Sequence, residues 1–327
     1  MSKLPLSRRD FGKLGVGLAA SLALSTWPAL AARQLSQDPR KLKLQPFTTA
    51  PFPYHGKLPD SDVDFLDANS GNRRGHTAPR GGIYWEDQTY YDNHVLLAIP
   101  KGYNLKAPSA IVVYFHGNGA ILDRDVVQRQ AIVDQLEASG LNAPLVAPQF
   151  AVDAQDSSAG RFWLPNAFHG FMVEATTQLA ALHGAPGARR AFQVAPIIIV
   201  GYSGGYDPAA YAVSVGGEPR VRGVMLFDAV YDDSEKFSGW IVKAHKTSFF
   251  FSAYSAGSEP GDQAIARVLV SKHIAFTQQI PDKLGPGVVA FYGTGDDVNH
   301  DDYMTDAWQH WPLQSMLSRI TGYVHRV

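Results

Sequence analysis

The chain has 327 residues, 45% hydrophobic and 18% charged, which excludes a disordered or fibrous protein. Its 29 basic side chains balance 30 acidic ones, so charge gives no reason to expect nucleic acid or an anionic membrane as partner. Cysteine is absent, which rules out disulfides, thiolate zinc sites, a cysteine nucleophile and a lipoprotein anchor.

Ser7, Arg8, Arg9, Asp10, Phe11, Gly12 and Lys13 precede an apolar run from Leu14 to Leu30. This resembles a twin-arginine export signal, with Phe11 and Lys13 where that motif expects them. Ala29-Leu30-Ala31 has the small-x-small pattern of a cleavage site, and the competing reading of the run is an uncleaved anchor. Residues 1–31 are therefore expected to be a signal peptide that leaves a chain with no stable membrane span. The signal carries Lys3, Arg8, Arg9 and Lys13 against Asp10, so its loss moves the net charge from −1 to near −4. The resemblance implies a bacterial periplasmic or secreted protein, partnered during export by the twin-arginine machinery, which moves folded cargo. Many such cargoes hold a cofactor, but no cofactor motif is present and none is expected.

Residues 32–81 are rich in Pro, Gly, Asp and basic side chains and have weak periodicity, predicting an irregular arm. Asp60, Asp62 and Asp64 alternate as in a calcium loop, but Phe65 and Gly71 stand where that loop needs Gly and Glu. From residue 82 to 327 the pattern is that of one α/β domain. Ile83 to Tyr91 and His94 to Pro100 predict two strands joined at Asp92-Asn93. Ala110 to Phe115 is a wholly apolar run, as in a strand buried on both faces. A helix is expected over Val126 to Ala138 and a strand over Ala143 to Pro148. Ala167 to Leu182 reads as helix, and Ala195 to Val200 as the strongest buried strand. Further strands are predicted at Gly223–Phe227, Ser248–Ala253 and Gly287–Tyr292, and a last helix from about Asp302 to Ile320. Strands alternating with helices imply a mostly parallel sheet covered on both faces.

Gly201-Tyr202-Ser203-Gly204-Gly205 follows the strongest strand directly. A Ser at a sharp strand-to-helix turn needs small neighbours two residues away, and Gly201 and Gly205 supply them. The turn would lift the Ser203 hydroxyl to the carboxyl end of the sheet, where ligands enter open α/β folds. The competing reading is a plain Gly-rich turn. Upstream, the strand ending at Phe115 runs into His116-Gly117-Asn118-Gly119. Backbone N–H groups of Asn118, or alternatively Gly119, together with Gly204, are candidates for an oxyanion hole. His116 itself is better read as a structural loop histidine.

His245, His273, His300, His310 and His325 follow Ser203. His300 is the candidate base, because it lies in a loop between the last predicted strand and the last helix. Asp296, Asp297, Asp301 and Asp302 around it leave hard-metal binding and a solvated acidic turn as competing readings; no metal is expected. For the acid, Asp228 at the end of Gly223–Phe227 is favoured over Glu259 and Asp262, which follow the next strand, and over Asp297. A turn acid or helix cap is the plainer reading of Asp228.

With the nucleophile turn, the His-Gly-x-Gly turn and the late histidine in this order, the chain resembles the α/β-hydrolase family over about three quarters of its length. That resemblance implies a mostly parallel eight-stranded sheet with helices on both faces and a Ser203–His300–Asp228 triad. Its acid would follow the sixth strand rather than the commoner seventh. It implies a serine hydrolase, most plausibly of carboxylic esters, acting on a small-molecule or envelope-derived acyl substrate. Amide or peptide bonds in the envelope, and a non-catalytic binding domain on the same fold, are the alternatives. Only residues 229–247 separate the sixth and seventh strands, so a small cap or none is expected. Phe162 and Trp163 are candidates to line the pocket or, equally, to seal the core beneath a long loop. Tyr206 is a further pocket candidate, and the aromatics favour an apolar or aromatic acyl group.

Overall fold

The computed structural model describes residues 40–295 and 297–323. The expected export signal, Asp296 and His325 lie outside the described residues. Eleven strands form two sheets among the described residues. They are β1 (Lys41–Pro46), β2 (Ala68–Ser70), β3 (Arg73–Thr77), β4 (Ile83–Trp85), β5 (His94–Ile99) and β6 (Ile111–Phe115). They continue with β7 (Leu145–Pro148), β8 (Ile197–Tyr202), β9 (Val221–Phe227), β10 (Phe249–Tyr254) and β11 (Val289–Gly293).

The main sheet has eight strands in the order β1-β5-β7-β6-β8-β9-β10-β11. Only β5 runs against the rest, pairing antiparallel with β1 and β7. The strands from β7 through β6 to β11 are all parallel. This is the α/β-hydrolase arrangement, mostly parallel and covered by helices on both faces. Alternation along each strand feeds two cores. Ile111, Val113, Phe115, Ile197 and Ile199 join one cluster, while Val112, Tyr114, Ile198 and Val200 join the other. Because both faces are covered, these strands read as unbroken apolar runs.

Helices α1 (Ile132–Ala138) and α7 (Pro312–Ser318) pack on one face. Helices α2 (Ala167–His183), α3 (Ala188–Val194), α4 (Tyr206–Ser214), α5 (Ser234–Ala244) and α6 (Glu259–Ser271) pack on the other. The segment between β9 and β10 holds only α5, so no large cap is built there.

Four expectations need correction. The arm is not irregular throughout: it contributes the sheet's edge strand β1, and the β3–β4 pairing crosses the expected boundary at residue 82. No hairpin forms at Asp92-Asn93. Asp92 Oδ1 instead accepts from the His94 backbone N–H at 2.8 Å, and β4 turns away to a separate three-stranded sheet with β3 and β2. The helix expected over Val126–Ala138 is a π-helical segment (Leu122–Arg129) followed by α1, broken where Ala131 adopts a left-handed backbone (φ +49°). The last helix is likewise split. A 3₁₀ turn spans His300–Met304, and α7 begins only after left-handed Trp311, with Pro312 in its first turn.

Candidate active site

The carboxyl ends of β6, β8 and β9 and the loop after β11 converge on one place. At the end of β8, Ser203 sits at φ +52°, a left-handed conformation that the strand-to-helix turn imposes. The turn leaves no room beneath it: a Cβ on Gly205 would lie 2.3 Å from the Phe115 carbonyl oxygen. Gly117 is pressed as closely from above, since a Cβ there would lie 2.7 Å from Ser203 Cβ. The His116–Gly119 turn therefore lies directly against the Ser203 turn, and both contacts need glycine.

His300 accepts from Ser203 Oγ through Nε2 at 2.7 Å and donates from Nδ1 to Asp228 Oδ2 at 2.6 Å. Three residues far apart in the chain thus form one hydrogen-bonded line. Asp228 lies just past β9, and its side chain is 1% exposed. Its Oδ1 accepts from the Ser255 N–H (3.0 Å), the Ser255 hydroxyl (2.8 Å) and the Ser258 hydroxyl (2.5 Å). Burial alone would raise its pKa. The hydrogen bonds from His300, Ser258 and Ser255 outweigh that and hold it at about 2. Asp228 is a full anion at neutral pH, with a fixed aim at the imidazole.

Several supporting residues were not singled out from the sequence. The Tyr231 hydroxyl donates to Asp228 Oδ2 at 3.2 Å and lies 3.4 Å from His300 Nδ1. The Tyr202 ring stacks on His300 at 5.2 Å, and its hydroxyl donates to the His300 carbonyl at 3.1 Å. Ser255 and Ser258 reach Asp228 from the loop after β10. Tyr231 stands only three residues after Asp228, which was the available hint.

The oxyanion candidates separate. The Gly119 N–H donates to the Ala154 carbonyl at 2.7 Å, so it is not free to meet a substrate, which removes the alternate. The Asn118 N–H has no partner among the described residues. The Asn118 side chain packs over Gly204, where a Cβ would lie 2.0 Å from Oδ1, and it accepts from Ser157 at 3.1 Å. Asn118 and Gly204 are thus in contact beside Ser203. His116 is structural, as its loop position suggested. Its Nε2 accepts from the Phe150 N–H at 2.9 Å, so Nδ1 carries the proton and donates to the Gly117 carbonyl. Burial lowers its pKa to about 4, keeping it neutral.

The other acids do not reach the imidazole. Glu259 and Asp262 lie on α6. Asp262 is 1% exposed, and burial followed by the nearby negative charge of Asp228 pushes its pKa up to about 8. The metal reading of the His300 loop loses its ligand, because both ring nitrogens are engaged with Ser203 and Asp228.

A cavity of about 140 Å³ opens over Ser203, lined by Arg80, Asn118, Arg129, Gln155, Tyr202, His300 and their neighbours. Its walls are mainly polar. A larger groove of about 440 Å³ lies at the amino ends of β8–β10, away from Ser203, between residues such as Val194, Arg222 and Tyr323. None of the three aromatic pocket candidates lines the Ser203 cavity. Phe162 is fully buried among Phe115, Phe150, Phe168 and Phe171, with ring centroids 5.1–6.0 Å away. The Trp163 indole N–H is held by Asp207 Oδ2 at 3.0 Å. Tyr206 is half-buried against Tyr231, with centroids 6.3 Å apart. The sequence left Phe162 and Trp163 balanced between core and pocket, and packing takes both to the core side.

No family model matches the chain, and no curated protein matches it. Among solved structures, it is similar to a feruloyl esterase module from Clostridium thermocellum complexed with sinapinate. That match has a TM-score of 0.44 and 13% identity, covering 84% of this chain and 100% of the other. An S-formylglutathione hydrolase from Agrobacterium tumefaciens is similar with a TM-score of 0.40 and 11% identity, over 77% and 94% of the two chains. An IroE-like serine hydrolase from Shewanella oneidensis is similar with a TM-score of 0.38 and 13% identity, over 69% and 74%. Likenesses this distant carry nothing about the substrate of this chain.

Proposed function

We propose that the protein is a serine hydrolase that cleaves a carboxylic ester through an acyl-enzyme on Ser203. The observation that carries this reading is the continuous line from Ser203 Oγ through His300 to the buried anion of Asp228. A serine hydroxyl is a weak nucleophile at neutral pH, so His300 Nε2 takes its proton as Oγ attacks the ester carbonyl. Asp228 holds the tautomer with the proton on Nδ1 and stabilises the imidazolium. The oxyanion that forms is stabilised by the N–H groups of Asn118 and Gly204, each contributing roughly 3 kcal/mol if both are aligned. His300 then passes its proton to the departing alcohol. Water enters, His300 takes a proton from it as the oxygen attacks the acyl carbon, and the bond to Ser203 Oγ breaks as His300 returns that proton to Oγ, releasing the acid.

An ester suits the site better than a peptide on size. A cavity of about 140 Å³ holds a short acyl group or a small alcohol rather than a length of polypeptide. Its polar walls also argue against the large apolar or aromatic acyl group expected earlier. Purified protein lacking residues 1–31 should hydrolyse short-chain p-nitrophenyl esters, and peptide anilides far more slowly. Turnover of anilides at rates equal to the esters would move the reading to an amidase.

We also infer export by the twin-arginine route, from Arg8, Arg9, Phe11 and Lys13. Changing both arginines to lysine should hold the protein in the cytoplasm of a bacterial host. Unchanged delivery in a strain without that machinery would refute it.

A further inference from the structure

One cation at the Ser203 cavity has no counter-ion among the described residues. Arg80 lines that cavity from the turn joining β3 to β4. The turn is a built one. The Gly81 N–H donates to the Ala78 carbonyl at 2.8 Å, and the Ala78 N–H donates to the Gly82 carbonyl at 3.1 Å. Pro79 stands where the fixed backbone of proline favours such a turn, and left-handed Gly81 and Gly82 close it. Behind it, His76 on β3 stacks on buried Phe65 at 4.3 Å. The small sheet thus holds the Arg80 backbone in place beside the site.

Several other arginines of the fold have carboxylate partners, among them Arg129 on the same cavity wall. Arg73 pairs with Asp87, Arg74 with Glu86, Arg129 with Asp125 and Arg220 with Glu218. Among the described residues, Arg80 has no hydrogen bond or ion pair. Its charge is nevertheless felt at the hydroxyls of Tyr206 and Tyr231, and Tyr231 touches both Asp228 and His300. The carboxylate on the cavity wall, Asp301, lies 3.7 Å from Arg129 and accepts from the Tyr202 hydroxyl at 3.4 Å. The side-chain NH₂ groups of Asn118 and Gln130, also on the wall, are buried without partners. Among the described residues the cavity therefore offers unpaired donors and one positive charge without a partner.

We propose that Arg80 binds a carboxylate on the substrate, so that the ester cleaved at Ser203 carries a free acid group. The inference rests on the hydrolase reading above and adds a substrate class to it. A guanidinium presents two parallel N–H groups that match a carboxylate, and Arg80 lines the same 140 Å³ cavity as Ser203. A hemi-ester of a small dicarboxylic acid and an ester of a small hydroxy acid both meet the requirement. Arg80 is a specificity residue here, and takes no part in bond making or breaking.

The test uses two fluorophosphonates that differ only at the end of a short alkyl chain, one a carboxylate and the other its methyl ester. Protein without residues 1–31 should be labelled at Ser203 about tenfold faster by the carboxylate probe at low salt. Arg80 is exposed, so this preference should shrink as salt rises. Arg80→Ala should bring the ratio of the two rates close to one, and Arg80→Lys should restore part of it. Arg190→Ala, which removes an exposed charge on α3, should leave the ratio as it is. Equal labelling by both probes, or a ratio untouched in Arg80→Ala, overturns the Arg80 inference and leaves the hydrolase reading standing. Failure of both probes to label Ser203 overturns the hydrolase reading, and this inference with it. Short carboxylated esters on the acyl or the alcohol side, run against their neutral twins, then show which half of the substrate bears the charge.

Discussion

Asp228→Asn separates the chemistry of the site from its stability. In the native protein Oδ1 accepts three hydrogen bonds, one from the backbone N–H of Ser255, which cannot turn around. The amide oxygen of Asn must keep that position, which points its NH₂ at His300 Nδ1. The imidazole then accepts at Nδ1 and carries its proton on Nε2, where it can no longer take one from Ser203. With geometry otherwise intact, kcat should fall by about 10⁴. Stability should fall as well. The folded pKa of Asp228 is about 2 against an ordinary 3.8. That depression is worth about 2 kcal/mol at roughly 1.36 kcal/mol per pH unit. Because the pKa is depressed, this stability is present above pH 3.8 and is lost as pH falls through 2. Urea titration at pH 7 should show the variant less stable by about 2 kcal/mol and still folded, while a p-nitrophenyl ester assay reads kcat. A folded variant within tenfold of the native kcat, or an equal loss in Glu259→Gln instead, would refute the assignment of the acid.

Tyr231→Phe removes one donor to the Asp228–His300 pair and should lower kcat about tenfold with little change in KM; an unchanged kcat would make Tyr231 a mere wall. Asp262 is neutral when folded and ionised when unfolded between pH 3.8 and about 8. Its raised pKa means that stability falls as pH rises through that window. Asp262→Asn should therefore flatten the fall and make the protein more stable than native at pH 8, by on the order of 1–3 kcal/mol in urea; a native-like pH profile would contradict it.

Much of the site was legible because its demands are local. A Ser flanked by glycines after Ile197–Val200 is forced by the close approach of Phe115, and an Asp directly after β9 is carried by the strand itself. Chain order left five histidines, and the place of His300 in the loop after the last predicted strand chose among them. The supporting shell was not legible, since Ser255 and Ser258 meet Asp228 only once β9 and β10 lie side by side, and Tyr231 only once the chain turns back after β9. Edge strand β1 hid because its exposed lysines and half-buried Leu44 and Gln45 leave only Leu42 buried. The helix breaks at Ala131 and Trp311 hid because neither residue is one that usually marks a left-handed backbone. Arg80 hid for a different reason: a sequence rich in Pro and Gly reads as irregular until its turn is seen folded over the site.

The central claim is that Ser203 is an activated nucleophile. Reaction with a simple fluorophosphonate, followed by mass spectrometry of the digested protein, addresses it directly. The native protein should carry one adduct, on the peptide containing Ser203, and Ser203→Ala should carry none while remaining folded by circular dichroism. His300→Ala should be labelled slower by several orders of magnitude, because residues acting as a unit fail together. An adduct on another residue, or equal labelling of Ser203→Ala, would contradict the account.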